Sequence, residues 1–121
     1  MSVKEMPDAQ RQVFLDSLLS GAAAHQPLAP GIKLCALQGG SQPGVALHIA
    51  REAQQTGQLQ WVLERRFEYA SLYDGFFIYL DAQYALVIWH ALPAARNTLD
   101  KTLSRMLSLA NLGALDASSS R

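Results

Sequence analysis

Residues Phe76–Leu92 read FFIYLDAQYALVIWHAL, and the fold turns on how this stretch is paired. Two runs of β-branched and aromatic residues flank the polar break Asp81, Ala82 and Gln83, which predicts a β-hairpin with those residues as its connection. Folding about Ala82 sets Leu80 against Tyr84, Ile78 against Leu86 and Phe76 against Ile88. That face is wholly apolar. The opposite face carries Phe77, Tyr79, Ala85, Val87 and Trp89, so the apolar-in, polar-out alternation of a half-solvated antiparallel sheet is missing. Both faces call for cover, and because a two-stranded hairpin is marginal alone, other strands, helices or another molecule must supply it.

Upstream, a helix is predicted from Gln58 to Leu72, with Thr56 and Gly57 leading into it. Leu59, Val62, Leu63, Arg66, Phe67, Tyr69, Ala70 and Tyr73 fall on one broad side, which reads as the core face. Trp61 and Leu72 fall on the other side, beside Arg65 and Glu68. An indole there has two explanations. It lies flat on its own helix in a cation–π contact with Arg65 at i+4, or Trp61, Arg65 and Leu72 mark a surface for a partner. Phe77, Tyr79 and Trp89 are further candidate anchors, unless a helix lies over their face.

Further out, IKLCAL (Ile32–Leu37) and VALHIA (Val45–Ala50) alternate as strands around the turn-rich QGGSQPG, giving a second hairpin. Ile32, Leu34 and Ala36 share one face, as do Val45, Leu47 and Ile49 on the return. The glycine-rich loop lacks the Lys-Ser or Lys-Thr ending of a phosphate cradle, so it reads as a turn. A first helix opens at Pro7 and Asp8 with Phe14, Leu18 and Ala22 on one stripe, widened by Val13, Leu15 and Leu19. It stops at Gly21, and AAAHQPLAPG reads as a linker to Gly31. After Pro93 a third helix carries Leu99, Leu103, Met106, Leu107 and Ala110, with Asn97 as N-cap and Gly113 as stop. Residues 1–113 form one domain, and 114–121 read as a flexible tail.

The 121 residues are 50% hydrophobic, enough for one core, and ten basic residues balance ten acidic ones. That scattered balance gives no footprint for direct nucleic-acid or anionic-membrane contact. No apolar run approaches the roughly 18–20 residues of a membrane span, and MSVKEMPDAQ has no apolar signal core, so a cytoplasmic location is expected. The one cysteine, Cys35, has no internal partner and reads as a small buried hydrophobe. His25, His48 and His90 lie far apart without metal-ligand spacing or a companion acid or base. No catalytic residue, metal or cofactor is expected; the chain reads as a non-enzymatic protein binder.

As elements the chain is helix, strand, strand, helix, strand, strand, helix: an α+β fold with an antiparallel sheet of two hairpins and three helices. This order resembles the small dimeric chaperones of bacterial type III secretion. More specifically, LERRFEYASLYDGFFIYLDAQYALVIWHALP (Leu63–Pro93), with LAPGIKL (Leu28–Leu34), resembles the HrpV family of small regulators in Hrp type III secretion clusters of plant-pathogenic bacteria. The resemblance implies a non-catalytic anti-activator that binds an enhancer-binding transcription activator and is itself sequestered by a chaperone-like partner. Two departures concern the chaperone likeness: secretion chaperones are typically acidic whereas this chain is neutral, and no further strand is apparent between His48 and the middle helix. The alternative within the same fold is a chaperone that keeps an effector secretion-competent. A second copy or a heterologous partner would equally cover the hairpin's second face.

Overall fold

The computed structural model describes residues 8–116. The elements in order are α1 (Asp8–Leu19), β1 (His25–Ala29), β2 (Ile32–Ala36), β3 (Gly44–Ile49), α2 (Gln58–Glu68), β4 (Phe77–Leu80), β5 (Leu86–Ala91) and α3 (Arg96–Leu109), with single 3-10 turns at Arg51–Ala53 and Gly113–Leu115. The strands form one antiparallel five-stranded sheet in the order β1-β2-β3-β5-β4. The α+β architecture with an antiparallel sheet and three helices is therefore as expected. One strand is additional.

That strand is β1, which falls where the prolines of AAAHQPLAPG predict a linker. It pairs with β2 through His25–Cys35, Gln26–Leu34 and Pro27–Lys33, with a register shift between Pro27 and Ala29. A residue without an N–H is tolerated on an outer strand, so Pro27 demotes the segment to an edge rather than abolishing it. The β2–β3 hairpin has the expected register, Ile32 against Ile49, Leu34 against Leu47 and Ala36 against Val45.

In the β4–β5 hairpin the predicted pairing is displaced by two residues. Leu80 faces Leu86, Tyr79 faces Val87, Ile78 faces Ile88 and Phe77 faces Trp89. The cause is Asp81. Its Oδ1 accepts the backbone N–H of Gln83 at 2.8 Å and of Ala85 at 2.9 Å, while its carbonyl accepts the Tyr84 N–H at 2.9 Å. Tyr84 takes the left-handed conformation, φ 64°, and the loop runs on to Ala85. A slip of two keeps every side chain on its predicted face, whereas a slip of one would have inverted them.

All three helices lie on a single face of the sheet. Phe14, Leu15 and Leu18 of α1, Val62 of α2, and Leu99, Leu103, Met106 and Leu107 of α3 meet Leu34, Leu47, Ile49, Leu86 and Ile88 in one core. The other face bears only the small cluster Ala46, Val87 and Trp89, edged by Cys35, Leu37 and Ala91. No helix covers it.

Arg11 of α1 is buried between α1 and α3. Its Nε donates to Asp100 Oδ1 at 2.9 Å, Nη1 to Asp116 Oδ1 at 3.0 Å, and Nη2 to the Asp100 carbonyl and Ser104 Oγ, each at 3.1 Å. A guanidinium offers its donors in a rigid fork, and here the fork is filled by groups from several directions. Arg96 reaches Gln12 and Asp16 as a second, exposed tie between α1 and α3. Beyond residue 113, Leu115 closes a 3-10 turn and Asp116 is buried against Arg11. Residues 117–121, like Pro7, lie outside the described residues.

Two helix boundaries differ from expectation. At α3, Ala95 is the N-cap and Asn97 lies in the first turn; the stop is Asn111, φ 62°, not Gly113. The Leu112 N–H returns to the Leu107 carbonyl at 2.8 Å and that of Asn111 to Ser108 at 3.0 Å, the paired bonds of a Schellman ending. The middle helix ends at Glu68 rather than Leu72, and the chain then turns so that Tyr73 and Phe76 enter the core.

Asp81 also has a pH signature. The Ala85 N–H above all, then the Gln83 N–H and His48, hold its carboxyl below the usual carboxylate range against a smaller opposing effect of desolvation. A folded-state value below the unfolded one contributes stability that is present above the ordinary carboxylate pKa and lost as pH falls through the folded value. Melting between about pH 5 and pH 2 should therefore show an acid-side loss that Asp81→Asn reduces. An unchanged pH profile in the variant would remove Asp81 as its source.

Candidate protein-interaction surface

The middle helix does not bury the broad side expected of it. Gln58 and Val62 are its buried residues, while Leu63, Phe67 and Tyr69 are 48%, 84% and 51% exposed. The buried stripe is narrow because α2 approaches α3 at its N-terminal end: Gln58 Nε2 donates to the Ala110 carbonyl at 2.9 Å, and Gln58 Oε1 accepts the Gln55 N–H at 2.9 Å. An amide carrying both bonds is held as firmly as an apolar contact would hold it. The apolar surplus of α2 is left outside the core.

On the side of α2 that carries Arg65, a cation sits within an aromatic ladder. The Arg65 guanidinium carbon lies 5.1 Å from the Trp61 ring, 5.2 Å from Tyr69 and 5.7 Å from Tyr73. The i−4, i+4 and i+8 spacing stacks them along the helix and into the turn after it. Arg65 Nε also donates to Tyr73 Oη at 3.2 Å, and that hydroxyl lies 3.4 Å from Ser108 Oγ on α3. The cation–π contact expected for Trp61 is thus present, with two further rings that the sequence reading did not assign to it. A side chain held by these contacts has fewer free rotamers than a solvated arginine. Trp61 remains 37% exposed, and Leu72, on the following turn, 43%.

The other three expected anchors divide. Phe77 and Tyr79 of β4 are exposed on the helix-free face. Trp89 shares their face, with its ring 5.9 Å from Phe77, but is buried: the loop after β2 folds over it and its Nε1–H donates to the Leu37 carbonyl at 2.8 Å. Its cover is a loop rather than the helix or partner that were the alternatives. Trp61, Arg65 and Leu72 therefore belong to the helix layer, and Phe77 and Tyr79 to the uncovered sheet face. The six residues do not form one patch.

The histidines do not converge. His25 and His48 border a shallow depression on the helix-free face with Lys33, and His48 Nε2 pairs with Asp81 Oδ2 at 3.3 Å. His90 packs beside Phe76 at 4.6 Å, its Nδ1 2.6 Å from the Ala91 carbonyl. Burial pushes the Cys35 thiol up, with Lys33 opposing, which disfavours the thiolate. Among the described residues no three His, Cys, Asp or Glu side chains are grouped to hold a metal ion, and no helix is long and apolar enough to cross a membrane.

No curated protein and no solved structure matches the chain. The HrpV-like family does match, over residues 3–114, a span that includes the α2 ladder, β4 and the uncovered sheet face. With nearly its whole length in that match, the chain belongs to the HrpV-like family, and is a regulator associated with Hrp type III secretion.

Proposed function

We propose that the protein is a non-catalytic cytoplasmic regulator that lowers expression of the secretion cluster by binding a transcription activator, and that a chaperone-like partner in turn sequesters it. Family membership supports the setting. The observation that carries the binding role is the Trp61–Arg65–Tyr69 ladder, a partly exposed aromatic and arginine surface that the core does not require. The helices-on-one-face architecture is consistent with the chaperone-like arrangement.

Affinity capture from cells expressing the cluster tests this reading. Recovery of the activator or of a chaperone-like partner is the expected result; recovery of a secreted effector alone would replace regulator with effector chaperone. Trp61→Ala should weaken the captured complex by about 2 kcal/mol, roughly thirtyfold in dissociation constant. Because Trp61 is partly exposed, melting should change far less than binding. An unchanged dissociation constant would take Trp61 out of the interface.

A further inference from the structure

An arginine fork carries several N–H donors and no acceptor, and two arginines of this fold have their forks served by carboxylates. Arg11 reaches Asp100, Asp116 and Ser104, and Arg96 reaches Asp16 and Gln12. Arg65 differs. Its Nε is taken by Tyr73, but among the described residues Nη1 and Nη2 meet no acceptor and no carboxylate pairs with them. The nearby acids do not supply one. Glu64 accepts from Gln60 Nε2 at 3.0 Å instead, and neither Glu68 nor Asp74 forms an ion pair among the described residues. Arg65 is half-buried between the exposed rings of Trp61 and Tyr69, whose faces attract a cation without accepting the in-plane bonds of its Nη groups. Water serves those groups in the free protein. An anion serves them better, because hydrogen bonds between charged partners are roughly twice as strong as neutral ones.

We propose, on the reading of the ladder as the docking surface, that Arg65 receives one aspartate or glutamate side chain of the partner in a bidentate pair, Nη1 and Nη2 each donating to a carboxylate oxygen. A planar carboxylate matches the planar fork. Local charge selects it further. Arg65 brings a single positive charge, Glu64 and Glu68 lie within one turn of it on α2, and Asp74 follows Tyr73 directly. One negative charge completes this arrangement, whereas a phosphate, carrying nearly two, meets the repulsion of those acids. One turn before Arg65, Trp61 borders a depression with Gln55, Thr56, Gly57 and Asn111, which leaves room for the main chain beside the incoming acid. The pair gives the surface a sign. Rings alone would accept any apolar segment, but Arg65 repels a lysine or arginine at that place and leaves an apolar residue there facing unpaired Nη groups.

The test is selection of a phage-displayed library of random peptides on the full chain, followed by affinities of synthetic copies of the enriched sequences. Those sequences should share an acidic position, and replacing its Asp or Glu by Asn or Gln should weaken binding about tenfold or more. Against Arg65→Gln the same replacement should change binding little. Arg65→Lys, which keeps the charge but not the fork, should restore only part of the acid's effect. Neutralising the peptide alters nothing in the protein, so a folding defect in Arg65→Gln would not decide the outcome. A library that yields no binder, enriched peptides with no shared acid, or an acid whose neutralisation costs as much against Arg65→Gln as against the unaltered chain would each overturn the proposal. Affinity capture reports separately on the partner. An activator recovered while peptides show no need of an acid keeps the binding role and removes the carboxylate; acid-dependent peptides with no activator or chaperone-like protein captured do the reverse.

Discussion

Arg11→Ala should cost about 3–5 kcal/mol of folding stability, the scale for breaking a buried ion pair by removing one partner. The Arg11 side chain is 4% exposed and that of Asp116 8%, so water does not replace the guanidinium when it is deleted. Asp116 keeps a buried negative charge without the cation that faces it, and Asp100 and Ser104 lose the group that joins them. Urea unfolding should show the midpoint falling sharply. Arg11→Met keeps most of the volume, so it separates the charge from the packing: a loss close to that of alanine assigns the effect to electrostatics. A small loss in both variants would show that the cluster is not a clamp. Asp100→Asn should cost less, because that side chain is 37% exposed and its carbonyl contact with Arg11 survives.

Trp89→Ala should cost a comparable amount, about 3–5 kcal/mol, as expected for deleting a large buried aromatic side chain. Its signature is a coupling with glycine. A Cβ on Gly44 would fall 2.3 Å from the Trp89 ring and one on Gly39 2.5 Å, so the loop can lie on the indole only because both residues lack side chains. The ring cannot swing away, since its N–H is fixed to Leu37. Gly44→Ala alone should therefore cost about 1–3 kcal/mol by overpacking, while in the Trp89→Ala background most of that penalty should vanish. A double-mutant cycle with no interaction energy would show that the loop does not depend on the ring.

Much of this fold can be read in the residues, and the places where it cannot have physical causes. The two faces of the sheet follow from strict alternation in β3, β4 and β5, which survives even a misplaced turn. Pairing in the β4–β5 hairpin was harder, because the Asp81 carboxylate captures two N–H groups and lengthens the connection, a choice that composition does not specify. β1 was hidden by Pro27, which argues against a strand everywhere except at an edge. On α2 the apolar pattern was wider than one helix face could bury beside α3, and the surplus at Leu63 and Phe67 became surface. Gln58 was the available clue, a polar residue in line with Val62. Of the candidate anchors, the Trp61–Arg65 contact was legible from its spacing. The burial of Trp89 under a glycine loop was not, since nothing local says where Gln38–Pro43 will fold. Arg11 and Asp116 were invisible for a similar reason: arginine and aspartate are usually solvated, and their union depends on tertiary placement alone.

The reach of Arg11 sets an order of events during synthesis. Its buried carboxylate partner lies 105 positions later in the chain, so Arg11 is added to the chain roughly 5–20 s before Asp116. Until Arg96, Asp100 and Ser104 have been made, the first helix has no tie to α3, and any competitor for its apolar stripe, a chaperone or a neighbouring nascent chain, meets it unsecured. Addition of Asp116 then completes the buried cluster around Arg11.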